Sequence, residues 1–208
     1  MQVALDVVSA DRAVEIARLA VEGGAEWIEA GTPLIKAEGL GVVERLRREF
    51  PSNTLVADMK TVDVGGLEVG LASGAGADVI SVLAVAADET ISAAVEAARG
   101  QQVKILADLI AVGDHLSRAK RVEELGVDYI GVHIGIDQQK AGLRPLEQPR
   151  SIAGSVGVPI AVAGGLSALT AREAVEAGAS IVIVGGAITK ARDVTQATRE
   201  IVEAIRGV

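Results

Sequence analysis

The chain contains no cysteine in its 208 residues, which excludes disulfides and thiolate chemistry and argues against a small secreted scaffold. Aromatics are almost missing as well, with one Trp, one Tyr and one Phe. Half of the residues are nevertheless apolar. The core must therefore be aliphatic, built from Val, Ile, Leu and Ala, which suit strands buried on both faces. Basic residues are in deficit: 20 Lys and Arg against 28 Asp and Glu give a net charge of −8. That argues against a nucleic-acid partner, whose recognition rests on clustered Lys and Arg, and it means that an anionic ligand needs local donors. No run approaches the roughly 20 apolar residues of a membrane span. The opening MQVALDVVSADRA lacks the basic and apolar segments of a signal peptide. The expectation is a cytoplasmic protein with no membrane partner.

What is present is a repeated unit. A helix-like stretch ends in Gly, a few residues follow, and a short β-branched run begins. The pattern reads GGAEWIEAG at 23–31, GAGADVISV at 74–82, ELGVDYIGV at 124–132, SVGVPIAVAGG at 155–165 and EAGASIVIVGG at 176–186. Gly fits the left-handed cap that ends a helix, and the apolar runs are too short for helices but suit parallel strands. Eight such runs begin near residues 2, 25, 54, 77, 102, 127, 158 and 180. Helices are expected at 10–23, 33–49, 64–74, 88–100, 114–125, 145–154, 168–178 and 190–206. Thr32-Pro33 reads as a cap followed by a helix-starting proline, and Pro145 and Pro159 fall at element edges. Eight β/α units could form an open sheet. The count, and the lack of any edge-like run, favour a closed (β/α)8 barrel, with residues 1–208 as one domain.

In such a barrel the chemistry sits at the C-terminal ends of the strands. The polar residues there are Asp6, Glu29, Asp58 with Lys60, Asp108 and His133. A buried strand tolerates a charge only when it is paired, so ionisable groups at the same end of five strands point to one shared site. Alternation puts Asp58 and Lys60 on one side of their strand as an acid/base pair, with Asp63 in the loop beyond. Glu29 and Asp58 lie on adjacent strands and repel unless a proton or cation lies between them. Mg²⁺ suits two carboxylates better than Zn²⁺, given no cysteine and only His133 well placed. His133 is a candidate proton shuttle, whereas His115 reads as a surface residue. The seventh and eighth strands end in Gly164-Gly165 and Gly185-Gly186, where barrels commonly bind phosphate through backbone N–H groups.

These residues resemble the 3-hexulose-6-phosphate synthases, in the superfamily that includes orotidine 5′-phosphate decarboxylase and 3-keto-L-gulonate 6-phosphate decarboxylase. The resemblance covers nearly the whole chain. It is carried by QVALDV, IEAGTPLIKAEG at 28–39, VADMKTVD at 56–63, ADVISVL at 77–83, GVHIGIDQQ at 131–139, VAGGL at 162–166 and VGGAITKA at 184–191. It implies a Mg²⁺-dependent aldol addition of formaldehyde to D-ribulose 5-phosphate through an enediolate. Glu29 and Asp58 would hold Mg²⁺, Lys60 would stabilise the enediolate oxygens, Asp6 would orient Lys60, and His133 would move the proton. Asp108 would sit against the substrate, and Gly164, Gly165, Gly185 and Gly186 would bind its phosphate. Asp63 would reach the partner's site in a homodimer. The keto-gulonate decarboxylases are expected to carry other residues where this chain has Ala163, Gly186, Ile136 and Asp108, which weighs against that branch. A non-catalytic sugar-phosphate-binding barrel would need the glycines but neither Lys60 nor His133.

Overall fold

The computed structural model describes residues 1–142 and 149–207. Its strands are β1 (Gln2–Leu5), β2 (Trp27–Ala30), β3 (Thr54–Thr61), β4 (Val79–Leu83), β5 (Lys104–Asp108), β6 (Tyr129–His133), β7 (Ile160–Ala163) and β8 (Ile181–Val184). They run parallel in sequence order round a closed barrel, with β8 returning to β1 through Gln2 opposite Ile183 and Val3 opposite Val184. The helices are α1 (Ala10–Glu22), α2 (Thr32–Glu38), α3 (Gly41–Glu49), α4 (Gly65–Gly74), α5 (Asp88–Gln101), α6 (His115–Leu125), α7 (Ile136–Lys140), α8 (Pro149–Ala153), α9 (Ala168–Glu176), α10 (Gly186–Thr189) and α11 (Val194–Arg206).

Alternation along each strand sorts the side chains. One set, including Val3, Leu5, Ile28, Ala30, Leu55, Ile80, Ile105, Ile130 and Val162, packs with the inner helix faces in a large aliphatic core. The other set fills the barrel from within. Val56, Val79, Leu106 and Ala161 form a second cluster there, covered by Trp27, Tyr129, Ile181 and Ile183. Trp27 and Tyr129 meet edge to face, with ring centroids 5.6 Å apart at 81°. Two of the chain's three aromatic residues thus plug the interior beneath the site.

The helices depart from the expected spans in three places. The stretch 33–49 is two helices, because Gly39 takes a φ of 68° and α3 restarts two residues later. Thr32 is not the cap of α2. Gly31 holds that position and Thr32 is already helical, while its hydroxyl turns to Asp58. The stretch 190–206 contains only α11, with α10 formed separately beforehand. The expected helix 145–154 lies partly outside the described residues, as does Pro145. Gly126, with a φ of 95°, ends α6 in the left-handed form the repeat implied. Among the described residues no helix is long and apolar enough to cross a membrane.

Candidate active site

The inward alternation that builds the apolar plug also builds the site above it. Two residues past Val56 is Asp58, past Val79 is Ser81, past Leu106 is Asp108 and past Trp27 is Glu29. Asp6 and His133 follow Ala4 and Gly131 in the same way. Parallel strands therefore deliver six polar side chains to one mouth.

Lys60 joins them by a different route. β3 loses register with β4 between Ala57 and Thr61, and Lys60 adopts a left-handed backbone with a φ of 48°. Its ammonium lies 3.0 Å from Asp58 Oδ2 and 2.9 Å from Asp108 Oδ2. Burial pushes the Lys60 pKa down, but Asp58 and Asp108 outweigh it and the net shift is upward. Asp108 also takes His133 Nδ1 at 2.9 Å and the Ile110 N–H at 2.9 Å. Burial raises its carboxyl, yet His133 and Lys60 more than compensate and hold it at about 2. The stability this confers is present above the ordinary aspartate range and is lost as pH falls toward that value. With Nδ1 committed to Asp108, Nε2 of His133 is the nitrogen left for chemistry.

Asp58 is held from both sides. Thr32 Oγ1 donates to Oδ2 at 2.7 Å and Ser81 Oγ to Oδ1 at 2.7 Å. Glu29 lies opposite Val56 in the ladder, so Asp58 stands one inward step higher, and the two are not directly opposed. That deeper seat explains why the Glu29 pKa rises well above the usual carboxylate range. Burial is the main cause, followed by Asp58 and Asp6, against Lys60 and a hydrogen bond from Gln2. Gln2 Nε2 reaches Glu29 Oε2 at 2.5 Å, while Gln2 Oε1 is buried without a partner among the described residues. Asp6 is raised by burial and then by Asp58. A Cβ on Gly31 would fall 2.4 Å from Asp6 Oδ1, and one on Gly185 would fall 3.3 Å from Oδ2. The Asp6 carboxylate is thus seated between the ends of β2 and β8. It forms no hydrogen bond to Lys60 among the described residues; the orienting partners of Lys60 are Asp58 and Asp108.

Asp63 stands apart. It is exposed in the loop after β3 and accepts the Val64 N–H at 2.8 Å. Around it Val62, Val64, Leu67 and Leu71 are each more than half exposed, the last three on one face of the α4 turn. Sequence reasoning missed Gln2, Thr32 and Ser81. Ser81 did carry a signal, as the single polar residue of VISVL.

The glycine pairs sit across the barrel. Gly164 has a φ of 114°, and a Cβ there would meet Ile134 O at 2.4 Å; Gly165 has a φ of 65°. Gly185 caps α10, and a Cβ on Gly186 finds nothing nearer than Lys190 Cε at 4.0 Å. Gly164→Ala is accordingly expected to lower stability by about 2 kcal/mol or more, a fall of several degrees in Tm, while Gly186→Ala leaves Tm unchanged. Thermal unfolding of both variants checks this. A cleft of about 590 Å³ between the loops after β4 and β5 is a poorer anion site. Both of its guanidinium groups are already paired with Asp88.

No three His, Asp or Glu side chains converge as a metal cage among the described residues. The donor set nevertheless fits a hard divalent cation that takes two carboxylates and completes its shell with water and substrate oxygens. Burial, then Asp58 and Asp6, raise the charge cost of Glu29, and Gln2 beside Glu29 retains an orphaned oxygen.

Comparison with known proteins gives a consistent result. Residues 1–201 match the orotidine 5′-phosphate decarboxylase / HUMPS family. The chain is 43% identical over 194 residues to the 3-hexulose-6-phosphate synthase of Bacillus subtilis, covering 93% of this chain and 92% of that one. It is 39% identical over 205 residues to that of Mycobacterium gastri, covering 99% of each. The solved 3-hexulose-6-phosphate synthase of Salmonella typhimurium superposes with a TM-score of 0.95 at 34% identity, covering 99% of this chain and 98% of that one.

Proposed function

The chain belongs to the orotidine 5′-phosphate decarboxylase / HUMPS family, and on that basis we propose that it is an aldehyde-lyase of the cytoplasm catalysing the 3-hexulose-6-phosphate synthase reaction. Formaldehyde adds reversibly to D-ribulose 5-phosphate, giving D-arabino-3-hexulose 6-phosphate. The observation that carries this reading is the Lys60 ammonium, fixed between Asp58 and Asp108 with His133 on the same Asp108 oxygen.

The substrate phosphate is held by N–H groups of Gly164, Gly165, Gly185 and Gly186, neutral donors that suit an acidic protein. His133 Nε2 removes a proton from C1, next to the C2 carbonyl. The C–H electron pair spreads into an enediolate, whose oxygens meet the Lys60 ammonium. This charge is larger in the intermediate than in the ketone, so Lys60 favours the former. C1 then attacks formaldehyde, forming one C–C bond. The π pair of formaldehyde moves to its oxygen, which takes the proton from His133. The former C2 becomes the C3 carbonyl of the product. Mg²⁺, held by Glu29 and Asp58, would supply Lewis-acid stabilisation of the same oxygens when bound. Asp108 positions both Lys60 and His133, and the carboxylate of Asp6 faces the same mouth.

The assembly in this reading is a homodimer with shared sites. In support, Asp63 is far from saturating its carboxylate and lies in an exposed apolar surface at Val62, Val64, Leu67 and Leu71. Apolar patches of this kind mark interfaces.

Two assays run side by side test the proposal. With ribulose 5-phosphate, formaldehyde is consumed, and EDTA stops the consumption until Mg²⁺ is restored. With 3-keto-L-gulonate 6-phosphate, little CO₂ is released. Efficient CO₂ release without formaldehyde consumption would make the chain a decarboxylase, and indifference to EDTA would remove the metal from the account.

A further inference from the structure

β3 and β4 part where the chemistry sits. Ala57 pairs with Ile80 and Thr61 with Val82, so Asp58, Met59 and Lys60 stand against Ser81 alone. In that gap the register between the strands shifts, and Lys60 takes its left-handed backbone with a φ of 48°. A side chain as large as lysine holds that conformation only when its surroundings impose it.

Ser81 supplies the imposition. It is buried, and its hydroxyl is used in both senses. It accepts the Lys60 N–H at 3.0 Å and donates its hydrogen to Asp58 Oδ1 at 2.7 Å. One hydroxyl therefore fixes the backbone that aims the lysine and the carboxylate that receives it. The other residues of β4, Val79, Ile80, Val82 and Leu83, are apolar and offer no substitute. Thr32 donates to the opposite oxygen of Asp58 and forms no hydrogen bond to Lys60 among the described residues.

We propose that Ser81 is a positioning residue for the reaction: its hydroxyl stitches the β3 bulge to β4, so that the Lys60 ammonium and the Asp58 carboxylate reach the barrel mouth in register. The inference rests on the reading of Lys60 as the cation that meets the enediolate. Loss of the hydroxyl frees the Lys60 backbone to relax, and a displacement of about 1 Å at a reacting group costs about 10²-fold in rate. The phosphate turns belong to β7 and β8, across the barrel, so substrate binding changes little.

The test compares kcat and KM for ribulose 5-phosphate in Ser81→Ala, Ser81→Thr and Lys60→Ala, each checked for folding by circular dichroism. Ser81→Ala is expected to lose about 10²-fold in kcat with KM within about threefold, and Ser81→Thr, which keeps the hydroxyl, to recover most of that loss. Should Ser81→Ala not fold, Ser81→Cys, similar in shape but a weak donor, carries the same expectation. A kcat within threefold of the parent in the alanine variant, or equal losses in the alanine and threonine variants, would overturn the role. If Lys60→Ala collapses while Ser81→Ala does not, this inference alone fails. If Lys60→Ala stays fully active, the functional reading beneath it falls.

Discussion

Lys60→Ala is expected to lower kcat by about 10³-fold or more, with a smaller effect on KM for ribulose 5-phosphate. The ammonium is set between Asp58 and Asp108 at the mouth. Its pKa is raised on balance, the two carboxylates outweighing the effect of burial. It therefore stays charged throughout the working range and cannot form a Schiff base without first losing a strongly held proton. The stability gained from its pairing is complete below the ordinary lysine value and is lost only as pH rises through the raised one. Removing it leaves two carboxylates facing each other across the mouth. Breaking a buried pair in this way costs about 3–5 kcal/mol, so the variant must be assayed below its lowered Tm. Steady-state kinetics with thermal unfolding check both parts. Retention of kcat within tenfold in a folded variant would remove the enediolate role from Lys60.

Mixing two inactive chains is expected to restore activity. Asp63→Asn removes the carboxylate proposed to act in the neighbouring site, and Lys60→Ala removes the cation of its own site. Each homodimer is then silent for a different reason. In a heterodimer of the two, both lesions fall on one shared site and the other site is complete. Random exchange in an equal mixture makes half of the dimers mixed, each with one working site of two. About one quarter of the parent activity should return, as symmetry of an isologous pair requires. The exposed apolar surface around Asp63 is what would carry the contact. Activity near that of the parent in Asp63→Asn alone, or no recovery on mixing after demonstrated exchange, would place Asp63 outside the chemistry.

The barrel was largely legible in the sequence because two local rules coincide. Gly near a helix end is followed by a short β-branched run in five places, eight such runs occur in all, and strands such as 129–133 and 160–163 began within two residues of the expected places. The inward polar positions were legible for the same reason, since Asp58 and Asp108 interrupt runs that are otherwise apolar. What was not legible depends on contacts between elements. Thr32 looks like a cap, yet its hydroxyl serves Asp58 on the next strand. The stretch 33–49 has one helical period, but Gly39 breaks it. Asp58 and Lys60 were expected to share a side through regular alternation; they meet through a bulge whose geometry depends on Ser81 of β4. Gln2, beneath Glu29, is hidden because a single polar residue at the start of a strand carries no periodic signal.

The most direct test of the central claim omits formaldehyde altogether. If the site forms an enediolate, the protein incubated with ribulose 5-phosphate in D₂O should exchange deuterium into C1, read by proton NMR as loss of the C1 signal, and Lys60→Ala should not. Exchange at C1 that depends on Lys60 is the result this account predicts. No exchange at C1 in a preparation that forms the hexulose phosphate once formaldehyde is supplied, or exchange undiminished in Lys60→Ala, would contradict it.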